Sequence, residues 1–395
     1  MSGWAALAGR AGILTSAFYA ALFFGLGAHL PYWPLWLADW GLDQAAIGWL
    51  MGLAVLARVA GGTLLPALAD QLAARRLMLA LCGAAAGVAA LLHALAESMA
   101  ALTLLTVTMG FASSPLIGLG EALGLRAANQ HGFAYAHARA VGSLSFLAMV
   151  WGLGALIGVV GSGSVLTVIA LCFFAAAALG LIHPGGGAPP GQSDRATMAE
   201  AATLLRSRLF QVFALSAALG HAAHAVYYTY SVVAWREAGI AAFWVGALWA
   251  SGVLAEIVLM LGPGRRWIAT IGPARGLALA GLAGLLRWSA MTLEPVGPLL
   301  WVAQILHAGS FGIAHLAAMA FIAAAVPARL GGTAQGLANG LIGGLTLAGA
   351  TMLAGIGVPY LGLGGIYWIA AALALTATIF ALVLALSWRG GRILD

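Results

Sequence analysis

Two glutamates, two arginines and a set of histidines stand inside long apolar runs of this sequence, where an ion is costly unless it is paired, wetted or neutral. Glu256 is a lone carboxylate in GVLAEIVLML. A carboxylate there can be neutral in one state and charged in another, which is what a proton-coupling site requires; the plainer alternative is an ion-paired packing residue. Trp249, Gly252 and Glu256 share one helical face by their spacing of three and four. His221, His224 and Tyr228 follow i, i+3, i+7, and Gln304, His307, Phe311 and His315 form a second polar stripe. Histidine changes charge near neutral pH, so His307 and His315 join Glu256 and Glu121 as proton-coupling candidates. His221, His224, Tyr228, Gln304, Trp249 and His29 are candidate hydrogen-bonding or stacking groups for a substrate. Two histidines three apart can also ligate a metal, but no acidic or cysteine partner stands on the same helix, and no metal site is expected. Arg287 is the cation expected to hold a substrate carboxylate through its planar donor fork, or else to pair with Glu256. Arg58 and Glu121 lie at matched depth and read as a salt bridge or gate.

These residues need membrane-spanning elements to position them. Of 395 residues, 63% are hydrophobic and 7% charged, far from the roughly 25% charged of soluble domains. The apolar runs are too long and too little alternating for β-barrel strands. We read twelve spans, at 12–35, 44–66, 76–96, 99–125, 137–160, 164–183, 209–235, 241–262, 271–292, 298–326, 333–357 and 362–388. The first run is expected to be a mature span and not a cleaved signal. Pro31 and Pro34 are expected to bend or end it, and Trp33, Trp36 and Trp40 to anchor it at the interface. The longest polar stretch, residues 185–208, divides the chain into bundles of six spans, 1–184 and 209–395.

All seventeen basic residues are arginine. Alternate connections differ sharply in arginine content: one set carries fourteen, among them Arg10, Arg75, Arg139, Arg195 and Arg329, and the other only Arg236. By the positive-inside rule both termini are expected to be cytoplasmic. The halves echo each other at an offset of 198 residues: Gly41 with Gly239, Gly48 with Gly246, Arg58 with Glu256, Asp39 with Glu237 and His29 with Tyr227. Parallel six-helix halves are one transporter architecture.

Several segments together resemble a known family: YWPLWL at 32–37, GLAVLAR at 52–58, RAVGS at 139–143, GHAAHAVYY at 220–228, GVLAE at 252–256, LLRW at 285–288 and QILHAGSFGIAHLAAM at 304–319. The chain resembles a major facilitator superfamily transporter, and within it is similar to the phenylpropionate permeases, near the nucleoside and oligosaccharide proton symporters. That resemblance implies an all-α fold of twelve transmembrane helices in two six-helix bundles, with the tenth helix beside a central cavity. It implies proton-coupled import of a small organic solute, such as an aromatic carboxylate, with nucleoside or sugar symport as the alternative. In the loop after the second span the superfamily has a glycine four residues before an aspartate and then a glycine-rich basic turn. Here Asp70, Arg75 and Arg76 are present, but Pro66 and Ala73 replace the glycines. Asp70 and Arg139 are further gate or salt-bridge candidates.

The same charges would also serve a proton antiporter exporting a hydrophobic compound, or a membrane-embedded sensor. An enzyme is not expected, because no nucleophile, base and orienting group stand in register. Without a lysine there is no phosphate-binding loop of the ATPase kind. The scattered arginines do not suit nucleic acid. Cys82 and Cys172 read as core residues. No cofactor is expected; the partners are the solute, protons and the lipid bilayer. The chain is expected to be a monomer in a bacterial inner membrane.

Overall fold

Stretches this apolar fold as long helices because a backbone removed from water must satisfy its N–H and C=O groups internally. The computed structural model describes residues 7, 9–186 and 197–393. Residues 187–196 of the polar stretch between the halves, including Arg195, lie outside the described residues. Among the described residues eleven helices are long and apolar enough to cross a membrane, and a bent pair brings the number to twelve. In order they are α1 (Arg10–Asp39), α2 (Gln44–Gln71), α3 (Arg75–Leu95), α4 (Met99–His131), α5 (Tyr135–Val160) and α6 (Ser164–Leu181). There follow α7 (Arg208–Glu237), α8 (Ala242–Leu261), α9 (Pro273–Met291), α10 (Pro298–Ala325), α11 (Ala328–Gly365) and α12 (Tyr367–Ser387). A short helix, Gly264–Ile271, meets α9 at a bend of 118°. Among the described residues there is no strand.

Several breaks fall where hydropathy gave no signal. Helix α1 does not stop at its prolines but runs through Pro31 and Pro34 to Asp39. The rings around them are buried, not interfacial: Trp33 is 0% and Trp36 7% exposed. Trp33 stacks on Trp36 at 5.0 Å and meets His93 edge-on at 4.7 Å. Helix α4 breaks between Ser113 and Pro115, where proline removes a donor. Helix α7 is interrupted at residues 223–224. Helix α10 carries a π-helical segment, Ala308–Ile313, and α11 another, Gly336–Ile342. Such segments are frequent at functional sites. The turn after α2 puts Ala73 at φ 51°, in the left-handed region that favours glycine. Arg75 Nε donates to Asp70 Oδ1 at 2.5 Å beside it.

The chain clusters into two compact units. The first comprises Met1–Leu42, Leu53–Pro190 and Trp235–Ala247; the second comprises Asp43–Gly52, Gly191–Ala234 and Leu248–Asp395. In the first, α1 packs on α5 and α6, and α3 on α6; in the second, α9 packs on α12, and α7 on α11 and α12. Small residues bring these backbones together. Each unit also holds one copy of the same clasp. In the first, Tyr32 Oη donates to the Val150 carbonyl at 2.6 Å, and a Cβ on Gly246 would lie 2.7 Å from that oxygen. In the second, Tyr230 Oη donates to the Gln44 carbonyl at 2.8 Å, and a Cβ on Gly48 would lie 2.6 Å from Gly355 Cα. Tyr32 and Tyr230 share the 198-residue offset of Gly48 and Gly246.

Candidate functional site

Arg287, on α9, is the hub of a polar cluster in the second unit. It is 0% exposed. Its Nε donates to the Ala303 carbonyl at 2.8 Å, NH1 to His307 Nδ1 at 3.0 Å and to Ser310 Oγ at 3.4 Å, and NH2 to Gln304 Oε1 at 3.4 Å. The guanidinium lies 4.3 Å from the Trp288 ring centroid and 4.6 Å from that of Tyr227. These acceptors all come from α10 around its π segment, which brings Gln304, His307 and Ser310 to one side. A guanidinium so enclosed has no open fork for a ligand. The expectation that Arg287 clamps a substrate carboxylate meets a guanidinium that already gives four of its five N–H donors to α10. It does not pair with Glu256 directly either.

Glu256 instead meets His307, with Oε2 3.3 Å from Nε2. The two contacts of His307 fix its tautomer. Arginine only donates, so Nδ1 must accept from Arg287 and the neutral ring carries its proton on Nε2, facing the carboxylate. A second arm leaves the hub through Ser310, whose Oγ lies 3.4 Å from His224 Nε2. His224 Nδ1 in turn donates to the Gly220 carbonyl at 3.1 Å, a natural acceptor where α7 is about to break. The result is a continuous path from Glu256 through His307, Arg287 and Ser310 to His224. Ser310 was not singled out by the sequence, where it stands only as a small residue in HAGSFGIAH.

Beside this path lies a cavity of about 230 Å³, lined by His221, His224, Ser310, Phe311, His315 and Asn339 among small residues of α7, α10 and α11. His307 and Phe311 stack at 5.1 Å and 11°. The α10 stripe thus divides: Gln304 and His307 serve the Arg287 hub, while Phe311 and His315 face the cavity. His315 also lies within electrostatic range of Glu256. Trp249 is buried, stacked on Tyr227 at 4.6 Å, and its Nε1 donates to Ser231 Oγ at 3.0 Å. Tyr228 stacks on His224 at 5.7 Å. Asn339 was missed because a single amide in a glycine-rich run carries no periodic signal. Among the described residues no group of three or more His, Cys, Asp and Glu is arranged to hold a metal ion.

The first unit holds a smaller cluster. The partner of Glu121 is Arg139 and not Arg58: Arg139 Nε lies 3.9 Å from Glu121 Oε1, and its guanidinium sits 4.0 Å from the Phe23 ring centroid. Tyr19 Oη donates to the Gly120 carbonyl at 3.1 Å and lies 3.3 Å from Tyr135 Oη. Arg58 is half-buried and has neither an ion-pair nor a hydrogen-bond partner among the described residues. His29 stacks on Trp33 at 5.5 Å and lies within electrostatic range of Arg58. Matched depth in the sequence suggested a pair that the structure does not form.

The chain's relatives agree with this architecture. Over 366 residues it is 32% identical to a probable 3-phenylpropionic acid transporter of Escherichia coli (strain K12), covering 91% of this chain and 94% of the relative. It is 27% identical to a maltose permease of Geobacillus stearothermophilus, covering 89% of this chain and 88% of the relative. In fold it matches the crystal structure of the nucleoside transporter NupG with a TM-score of 0.80 at 16% identity, over 96% of this chain and all (100%) of that one. The all-helical, multi-pass chain is a transporter and not an enzyme. The model of the MFS_1 like family matches residues 13–383, and the chain belongs to that family of major facilitator superfamily transporters.

Proposed function

We propose that this chain is a proton-coupled symporter that imports a small aromatic carboxylate across a bacterial inner membrane, as a monomer with both termini cytoplasmic. The observation that carries the reading is the contact of Glu256 with His307, itself tied to Arg287. Arg287 holds His307 with its Nε2 proton toward Glu256. While Glu256 is ionised, that hydrogen bond is charge-assisted and strong. A proton taken up by Glu256 removes the charge and weakens the bond. Proton binding thereby acts on His307 and on the π segment of α10, which also lines the cavity. His221, His224, Tyr228 and His315 would meet the substrate's ring and polar edge there, with Gln304 and Trp249 holding the wall. Glu121 with Arg139, and Asp70 with Arg75, would serve as ion pairs broken and remade as the halves 1–184 and 209–395 alternate about the linker 185–208. The cytoplasmic assignment rests on the arginine bias of the connections.

The carboxylate is favoured by the Escherichia coli relative's name and by its coverage of nearly the whole chain. The maltose permease relative favours a second reading, in which the same proton path drives a neutral sugar. Purified protein in proteoliposomes separates them. With an inside-alkaline pH gradient at zero potential, labelled 3-phenylpropionate is expected to enter faster than into protein-free liposomes, which admit the neutral acid only by diffusion, and a protonophore to abolish the accumulation. Accumulation of maltose without the acid would replace the first reading by the second. Acid driven outward, against the inward proton flow, would make the protein an antiporter.

A further inference from the structure

The short helix Gly264–Ile271 between α8 and α9 has no part in the polar path, and its two sides are unlike. Gly264 and Ile268 are buried on one side, while Arg265, Arg266 and Trp267 are exposed on the other. The inner side is seated on the second unit. A Cβ on Gly264 would lie 2.6 Å from Leu316 Cδ1 of α10, and one on Gly276 of α9 would lie 2.6 Å from Ile268 Cδ1. At the end of the helix Gly272 takes φ 84°, in the region that favours glycine, and Pro273 opens α9 at once. The resulting bend of 118° lays the helix across the line of α9 and not along it.

Both flanking spans turn aliphatic rows outward. In α8, Leu254, Val258 and Leu261 recur at spacings of four and three and are all exposed, so the row ends where the short helix begins. In α9, exposed Leu279, Leu282 and Leu286 form a like row headed by exposed Arg275. In a membrane-spanning chain such rows meet acyl chains, which are as apolar as leucine. Trp267 is 50% exposed, and an exposed indole at the end of a span suits the headgroup level. The side chains of Arg265, Arg266 and Arg275 have neither an ion-pair nor a hydrogen-bond partner among the described residues. Glu200 of the same unit pairs with Arg329 instead. Two adjacent uncommitted guanidiniums, an indole and outward aliphatic rows fit a molecule with an anionic phosphate head and aliphatic tails.

We propose that the short helix Gly264–Ile271 is a docking site for an anionic phospholipid of the adjoining leaflet. Arg265 and Arg266 hold the headgroup phosphate through charge-assisted hydrogen bonds, Trp267 sits at headgroup level, and the acyl chains lie along the rows of α8 and α9. A choline lipid carries the same phosphate, but its quaternary ammonium cancels the charge. The site therefore prefers phosphatidylglycerol to phosphatidylcholine. The proposal concerns the second unit alone and holds whichever solute is carried.

Fluorescence of the purified full-length chain in phosphatidylcholine vesicles tests this, with brominated lipids as contact quenchers. The signal of Trp267 is the difference between each protein and the same protein carrying Trp267→Phe. At the same minor fraction, dibromo-phosphatidylglycerol is expected to quench Trp267 several-fold more than dibromo-phosphatidylcholine. In Arg265→Gln/Arg266→Gln the relative affinity for phosphatidylglycerol is expected to fall about twenty-fivefold, each arginine contributing about fivefold at a membrane surface. Arg265→Lys/Arg266→Lys keeps both charges and is expected to retain most of the preference. Equal quenching by the two lipids in the parent would overturn the proposal, as would a double glutamine variant that keeps the parent's preference. Arg389→Gln/Arg392→Gln removes two other exposed arginines of the unit and is expected to leave the quenching intact. An equal loss there would assign the preference to the general charge of that side and overturn the site. Relief of the quenching by soluble glycerol phosphate would make the occupant a free phosphate ester and overturn the lipid assignment.

Discussion

Arg287 differs from the other buried ions in that every face of its guanidinium is occupied. Four side-chain or carbonyl acceptors and two rings surround it. Arg287→Gln would strand the Ala303 carbonyl, the Gln304 amide and His307 Nδ1 in a dry interior. We expect a loss of about 3 kcal/mol or more, read as a lower melting temperature in detergent. 3-Phenylpropionate and its amide should lose affinity together, because the residue holds α10 and does not touch the ligand. The type and depth of Arg287 were legible in the sequence, but its occupancy was not, since its four hydrogen-bond acceptors reach it only through the packing of α9 on α10, and the Tyr227 ring comes from α7. His183 supplies a pH-dependent test outside the spans. It sits just past the end of α6, its Nδ1 accepts from the Gly185 N–H at 3.2 Å, and its ring meets Phe18 edge-on at 5.5 Å. Burial first, and then the charge of Arg76, push its pKa down from 6.5 to about 4. The unfolded chain therefore binds the proton more readily. The stability contributed by neutral His183 is complete above about pH 6.5 and is lost as pH falls toward 4. His183→Asn keeps an acceptor for Gly185 and should flatten that part of a melting-temperature profile; an unchanged profile would mean that other groups set it.

The spans were legible element by element because hydropathy alone sets their existence, and most ends fall within a few residues of expectation. The internal breaks were not legible. Nothing in the pattern marks the interruption of α7 after His221, or the π turn of α10 that rotates Gln304, His307 and Ser310 toward Arg287. The first goes with a local contact, the His224 ring reaching the Gly220 carbonyl four residues back, and the second with tertiary packing, α10 wrapping a charge on α9. The two clasps sit between these cases. The Gly48 and Gly246 echo was visible, but the tyrosine hydroxyls that close over each glycine were not. Their geometry makes a strict steric prediction. Gly246→Val and Gly48→Val each force a side chain into a space already filled by backbone and a tyrosine, at a cost of about 1–3 kcal/mol. Equal drops in thermal stability for the two variants would agree with the shared design, whereas a neutral result for either would show that the approach relaxes freely.

At the scale of the whole molecule, the 198-residue register does more than repeat a fold. It sets a cation, Arg58, in one half against a carboxylate, Glu256, in the other, at equivalent positions of α2 and α8. In the proposed function the carboxylate of α8 is the group that titrates. The asymmetry of the ions on a symmetric scaffold is thus the feature that links fold to proposed function. The most direct test of that link is the accumulation ratio of labelled 3-phenylpropionate in proteoliposomes under an inside-alkaline pH gradient, measured for the parent and for Glu256→Gln. Glutamine keeps the shape and can still accept from His307 Nε2, but it cannot take up a proton. After subtraction of protein-free liposomes, which trap the acid on the alkaline side by diffusion, the expected result is that the parent drives net uptake, while Glu256→Gln adds none and still exchanges internal for external label. Accumulation by Glu256→Gln to the parent's ratio would contradict the account.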